Sequence, residues 1–371
     1  MSNRLAAIIG LTLILASLHD AFEAVLLPRR VERRHRFVHY YYRVTWAIWS
    51  RIGARLPIGS ARESILSVYG PMSMILLFAL WAVGLILGFG FLQYALQAFV
   101  PAGMRTSLSQ QFYLSGDSFF TLGTQTLVSR PSAVHVLVFI EAGTGFGFIG
   151  LMVGYLPVLY HHFTQRDLQL IQLDARAGSP PTAATVLSRC GIEGTLEQLD
   201  DWLRDWEVWA AELIESHSSY PMLAFYRSQH EKQSWLASLA IILDCCTVIV
   251  SGVENMSSLQ AGATFVAARK MLTEIGRSLN VRPPSQAKVR LPKEMFKRIE
   301  GLLVASGFVW DAGPEAEQTL LQLQNTYEPL LQALSAYLLL PLPMWIRDGE
   351  EVLAGEGRKT LARRLTRNLD L

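Results

Sequence analysis

The chain has 371 residues, 51% of them hydrophobic and 17% charged, with a mean hydropathy of +0.26 and a formal net charge of +2. That balance is too apolar for an ordinary soluble enzyme and too charged for a protein made only of membrane spans, so one part belongs in a bilayer and another in water. No basic tail or aromatic-basic repeat offers a footing for nucleic acid. The only cysteines, Cys190, Cys245 and Cys246, form no spaced set for a disulfide framework or a zinc site.

In chain order, residues 1–28 hold the first apolar stretch, Leu5 to Leu27, with His19, Asp20 and Glu23 in its last third. No small-x-small cleavage site follows, so it reads as a membrane span and not as a cleaved signal peptide. Asp20 and Glu23 share one helix face. They can pair with Arg29 or Arg30 at the interface, or mark a functional intramembrane site.

Residues 29–70 form a basic segment. Arg29, Arg30, Arg33, Arg34 and Arg36 crowd its start, and "FVHYYYRVTWAIWSRIGARL" (37 to 56) is dense in Tyr, Trp and Arg. Such residues favour the headgroup level, which predicts an interfacial helix. The other reading is a cytoplasmic helix packed on the soluble domain.

Residues 71–162 contain two further spans of the required length of roughly 20 residues. Met72 to Gln97 is free of charge, and Ala133 to Tyr160 carries only Glu141. Basic residues collect after the first span and, as His161, His162 and Arg166, after the last, while the loop between the second and third carries only Arg105 and Arg130. Positive charge marks the cytoplasmic side. The expected topology is therefore multi-pass in the cell (inner) membrane, amino terminus outside and carboxyl terminus cytoplasmic.

The outer loop is unusual. "SLSQQFYLSGDSFF" reads as a short amphipathic helix and "TLGTQT" as extended chain after it. A half-helix followed by polar backbone at membrane depth is tolerated only where it lines an aqueous path or is buried in protein. Asp117 and Arg130 form either an ion pair behind this stretch or two solvated loop charges. Gly143, Gly145 and Gly147 lie in the middle of a span, where a phosphate loop has no place and close packing or a hinge does. Glu141 in the same span is expensive in lipid and should face protein or water, bracing the short helix or making a structural hydrogen bond.

On these residues the segment resembles the pore module of two-transmembrane potassium channels, including the bacterial inward-rectifier-like members, over about residues 72 to 162. The resemblance implies two of the spans with a re-entrant pore helix and filter loop between them; with the first span and the helical part that follows, the expected fold is an all-α membrane protein of three transmembrane helices plus an all-helical cytoplasmic domain. The resemblance also implies a homotetramer around one axial pore. Thr121, Leu122, Gly123, Thr124, Gln125 and Thr126 would stand as the selectivity filter, whose carbonyls replace the hydration shell of potassium or sodium. Asp117, Ser118, Arg130 and Glu141 would support it, and Gly143, Gly145 and Gly147 would serve as gating hinge. The chain departs from the family at Thr124, Gln125 and Thr126, where that pattern has Tyr, Gly and Asp. A side chain at a glycine position costs about 1–2 kcal/mol in left-handed geometry, so strain is expected at Gln125 and selectivity should be weak.

Residues 163–371 carry helical periodicity with Pro and Gly breaks and no alternating runs, predicting an all-helical domain. Thr195-x-x-Gln198 resembles a capping box ahead of "LDDWLRDWEVWAAELIES". "SWLASLAIILDCCTVIV" carries Asp244 and reads as a buried core helix, with a fourth span as the other reading, and "PEAEQTLLQLQNTYEPLLQALSAYLLL" as one long helix. His217, His230, Glu231 and Asp244 lack any i, i+4 ligand motif, so no metal site is expected. No nucleophile elbow, phosphate loop or HExxH is present, so no catalysis and no cofactor beyond the permeant cation are expected. Partners are the bilayer, further copies of the chain and an unknown ligand or protein at the helical domain. Two functions remain: weakly selective monovalent cation conduction, or a non-conducting membrane sensor or scaffold that kept the channel architecture.

Overall fold

The computed structural model describes residues 2–25, 37–101, 103, 105–124, 132–177, 180–193, 196–228, 233–284, 290–291, 293–310 and 313–346. Among them the chain is helical, and its single β-type pairing is an isolated bridge between Val253 and Trp310. It divides into two units, Met1–His162 and Phe163–Leu371. Arg29, Arg30, Arg33, Arg34, Arg36, Gln125, Thr126, Arg130, Thr195, His230 and Glu231 lie outside the described residues.

The first unit contains α1 (Asn3–Val25), α2 (Phe37–Ala54), α3 (Ser60–Leu96), α4 (Leu108–Phe119) and the first part of α5 (Ser132–Ala177). α1 and α3 run antiparallel, since Gly10 faces Gly88, Ser17 faces Gly84 and Asp20 bonds Trp81. Glycine is what permits this approach. A Cβ on Gly10 would sit 2.6 Å from the Gly88 carbonyl oxygen. Close backbone approach through small residues suits helices in lipid, where no hydrophobic drive presses them together.

α2 is pinned to the start of α3 by three hydrogen-bonded rungs. The Tyr41 hydroxyl donates to Ser73 O at 2.6 Å, Thr45 Oγ1 meets Tyr69 Oη at 2.9 Å, and Trp49 Nε1 donates to Ile65 O at 3.0 Å. The rungs advance four residues on α2 while retreating four on α3, so one face of each helix meets the other in antiparallel register. The opposite face of α2 leaves Phe37, Tyr40, Val44, Ile48 and Ile52 exposed.

α3 begins at Ser60, three turns before the apolar run, and α5 continues to Ala177. Both carry an internal proline, Pro71 and Pro157. The side chains of α1, α3 and α4 meet in a buried cluster of Ile14, Leu85, Phe89 and Phe119, with Leu137 and Phe148 of α5 against it.

The second unit contains the end of α5 and then α6 (Ala183–Glu193), α7 (Leu196–Ser219), a 3-10 turn (Pro221–Phe225), α8 (Trp235–Gly252), α9 (Leu259–Leu279), α10 (Lys293–Ala305), α11 (Pro314–Asn325) and α12 (Glu328–Leu338). The expected single helix over residues 314–340 is two, broken at Thr326 and Tyr327. Pro329 explains the break, because it has no N–H to donate to the Asn325 carbonyl and its ring clashes with it, whereas the first turn of a new helix tolerates proline. α8 is surrounded by α6, α9, α11 and α12. Trp202, Trp206 and Trp209 of α7 stack edge-on in the core, with ring centroids 5.8 and 4.9 Å apart.

Among the described residues four helices are long and apolar enough to cross a membrane: α1, α3 with its 3-10 extension, α5 and α8. Burial separates them. The apolar window of α8 is 78% buried within the protein, against 22%, 33% and 22% for the other three.

Candidate functional site

α4 has 12 residues, about 18 Å of helix, which is too short to cross a bilayer. It starts where Ser107 Oγ accepts the Gln110 amide at 3.3 Å, a serine N-cap. Its buried residues are Gln111, Leu114, Ser115, Asp117 and Phe119, so three polar side chains point into protein and need partners. Gln111 bonds Thr106, whose amide donates to Gln97 Oε1 at 2.7 Å. Ser115 bonds Glu141 and the Ile86 carbonyl.

The helix ends in a Schellman motif. Thr121 N donates to Ser118 O at 3.1 Å and Leu122 N to Asp117 O at 2.9 Å, with Thr121 at φ 54. Glycine normally fills that left-handed position, and a β-branched residue there costs about 1–2 kcal/mol. Thr121 is therefore a strained turn residue and not the first residue of an extended strand, as expected from sequence. Gly123 follows with φ 68. The strain foreseen at Gln125 falls outside the described residues, whereas the strain at Thr121 had no sequence signal beyond its place two residues after the helix.

Asp117 holds the turn. Its Oδ1 accepts the Thr124 amide at 3.1 Å and also the Thr124 hydroxyl. The Asp117 carboxylate is thus engaged by Thr124, while Arg130, its other expected partner, lies outside the described residues. Ser118 turns its hydroxyl back to Leu114 O at 2.9 Å. Leu122 is exposed at the tip.

Glu141 is 0% exposed, and its Oε2 accepts from Gln93 Nε2 at 2.6 Å while Oε1 contacts Ser115. The two bonds join α5 to α3 and to α4. Gln93 and Ser115 were not singled out from the sequence. The available signal was Gln93 and Gln97, one turn apart at the end of an otherwise apolar run.

The three glycines of α5 separate by environment. Added Cβ atoms on Gly143 and Gly147 would meet nothing within 4 Å, but one on Gly145 would collide with the Phe119 carbonyl. Gly145 is a close-packing position against the end of α4.

Asp20 accepts the Trp81 indole N–H at 2.7 Å and the backbone N–H of Val38 in the first turn of α2, so it ties α1 to α3 and caps α2. Glu23 lies 3.7 Å from His19.

In the second unit Asp244 Oδ1 accepts from Arg290 Nη2 and from the Tyr327 hydroxyl, both at 2.7 Å, and Glu328 accepts from the same guanidinium. His217 Nδ1 lies 3.0 Å from Leu213 O. Among the described residues no group of three His, Cys, Asp or Glu is placed to hold a metal ion.

Together these features define, among the described residues, an all-helical protein with the build of a membrane protein, whose apolar unit holds a short half-buried helix ending in a strained, exposed turn. No protein-family model, no curated protein and no solved structure matches the chain.

Proposed function

We propose that the chain is a cation-channel-like integral membrane protein of the inner membrane. In this reading α1, α3 and α5 span the bilayer with the amino terminus outside, α4 is a re-entrant pore helix, and α8 is the core helix of a cytoplasmic domain. Four copies surround one pore that passes monovalent cations with weak selectivity, and the helical domain takes the ligand or protein partner.

The observation that carries the reading is the placement of α4. A helix too short to span, wedged between α3 and α5 by buried side chains, ends in left-handed steps at Thr121 and Gly123. Such backbone at membrane depth is admissible only inside protein or beside water. Strained residues of this kind gather at ligand clamps. Thr121, Leu122, Gly123 and Thr124 are the described residues whose oxygens would face the ion, with Asp117 bracing the turn and Glu141 bracing α4.

The test is cation flux through the purified protein in liposomes, with native mass measurement of the same preparation. A tetramer that carries potassium and sodium at comparable rates is expected. A monomer, or a tetramer without flux, overturns conduction, and the second outcome favours a sensor or scaffold built on the same helices.

A further inference from the structure

Two buried glutamines of α3, one turn apart, are each held at one end and open at the other. Gln93 is 1% exposed and Gln97 8%. Gln93 Nε2 donates to Glu141 Oε2 at 2.6 Å, and Gln97 Oε1 accepts the Thr106 amide at 2.7 Å. A backbone N–H only donates, so the Gln97 amide is fixed with its oxygen toward Thr106 and its NH2 turned elsewhere. One acceptor and one donor are left over, Gln93 Oε1 and Gln97 Nε2. Neither meets a hydrogen-bond partner among the described residues. Buried polar side-chain atoms are costly to leave unpaired, and in native proteins they are paired with protein or with ordered water.

We propose that one internal water molecule bridges Gln93 Oε1 and Gln97 Nε2, in the seam where the end of α3 meets α4.

The chemistry of the two open ends selects the ligand. A cation suits Gln93 Oε1 and is repelled by the Gln97 NH2, and an anion has the reverse preference. Arg4 of α1 is the charged side chain nearest this level, because α1 runs antiparallel to α3 and its Gly10, six positions after Arg4, lies against Leu92. Arg4 is exposed. A guanidinium carries donors only, so it can serve Gln93 but leaves Gln97 Nε2 unpaired. Water donates to the one and accepts from the other. The spacing agrees: Cβ atoms one helical turn apart are about 5–6 Å from each other, and two hydrogen bonds of about 2.8 Å, bent at the water oxygen, bridge side chains so placed.

The neighbours extend the same seam. Gln111 of α4 bonds Thr106, and Ser115, one turn further along α4, bonds Glu141 and the Ile86 carbonyl. Two layers of polar contacts result, Gln97–Thr106–Gln111 and Gln93–Glu141–Ser115, and the water joins them along α3. Internal waters of this kind, held by otherwise unpaired polar groups, are part of a fold and costly to remove. The site rests on the packing of α3, α4 and α5 alone and stands whether or not the protein conducts.

Proton-detected solid-state NMR of the full chain in lipid bilayers tests it, by transfer of magnetisation from water to the Gln97 side-chain NH2, whose signal is identified by its absence in Gln97→Met. The expected result is direct transfer to this buried group. No transfer at mixing times that fill the exposed Arg105 amide overturns the proposal. The Thr106 hydroxyl exchanges with solvent and is the alternative relay; Thr106→Val removes it and keeps the backbone amide that holds Gln97. Transfer should persist in Thr106→Val, and its loss there overturns the bridge. Gln93→Met removes the acceptor end, so transfer to Gln97 should disappear, whereas unchanged transfer means that no water links the two residues. Should Gln93→Met not accumulate, wild type and Thr106→Val decide the point. Arg4→Met should match wild type, and loss of transfer in it would assign the site to the guanidinium instead. None of these spectra reads flux, so a protein that conducts nothing fails the functional test without touching this one.

Discussion

The carbonyl of Phe119, at the end of α4, occupies the space that a side chain on Gly145 of α5 would need. Two backbones touch there, and the contact partner is rigid. Overpacking a well-packed site costs about 1–3 kcal/mol. Gly145→Ala should therefore destabilise the apolar unit by that amount. Gly143→Ala and Gly147→Ala, which face open space, should be neutral or stabilise the helix by about 0.5–1 kcal/mol, the usual gain over glycine. Denaturant unfolding in detergent separates them. Equal effects at all three positions would mean that α4 and α5 do not meet at Phe119.

Thr121 yields a prediction of the opposite sign. Its φ of 54 places a β-branched residue where glycine is at ease. Thr121→Gly should stabilise the protein by about 1 kcal/mol, because the strain is removed while the two closing hydrogen bonds remain. Asp117→Ala should loosen the same turn by releasing Thr124. Amide exchange at Leu122 and Thr124 reports both effects. Faster exchange in Thr121→Gly would show that the threonine side chain supports the turn and is not merely tolerated there.

What the sequence disclosed and what it hid follow from the range of the interactions. Apolar runs of membrane length stand out locally, so α1, α3 and α5 were legible, as was the helical periodicity of the second unit. The rungs Tyr41–Ser73, Thr45–Tyr69 and Trp49–Ile65 were not, because each joins residues 16 to 32 positions apart. Asp20 was read as a partner of Arg29 or Arg30 or as an intramembrane site; both arginines lie outside the described residues, and the partner that is described, Trp81, is 61 positions away. Glu141 was recognised as a residue that must find polar company. Gln93 and Ser115, its company, are ordinary residues whose role appears only once α3, α4 and α5 are packed.

The buried group of Asp244, Arg290, Glu328 and Tyr327 should govern the stability of the second unit. Arg290→Met leaves two buried carboxylates facing each other and should cost about 3–5 kcal/mol, as when one partner of a buried pair is removed. The pH dependence carries a sign. Burial pushes the Asp244 carboxyl from 3.8 up to about 6, against the pull of Arg290 and Tyr327. As pH rises the unfolded chain releases this proton first, so between about 4 and 6 the folded state binds more protons, and the stability contributed by Asp244 falls across that window and is constant above it. Urea unfolding of wild type and Asp244→Asn at pH 4, 5, 6 and 7 checks this. The wild type's advantage should shrink up to pH 6 and then hold. An advantage that grows with pH would mean that Arg290 outweighs burial.

The proposed topology can be tested without any assay of conduction. Ser109, in the first turn of α4, and Ala175, near the end of α5, are both exposed. In a three-span arrangement they lie on opposite sides of the bilayer, Ser109 outside and Ala175 in the cytoplasm. Native thiols do not confuse the measurement, because Cys245 and Cys246 are each 0% exposed and burial raises both above the ordinary thiol range. Only Cys190 needs replacement beforehand. With Ser109→Cys, a membrane-impermeant maleimide should react from the outer face of intact cells; with Ala175→Cys it should react only after the membrane is opened. Labelling of both from one face would remove one of the three spans, and with it the outward loop on which the placement of α4 as a re-entrant helix depends. α8 is the remaining candidate span. If it crossed the bilayer, a thiol placed at exposed Leu259, just beyond its end, would be labelled from the outer face, whereas a core helix leaves it protected until the cell is opened.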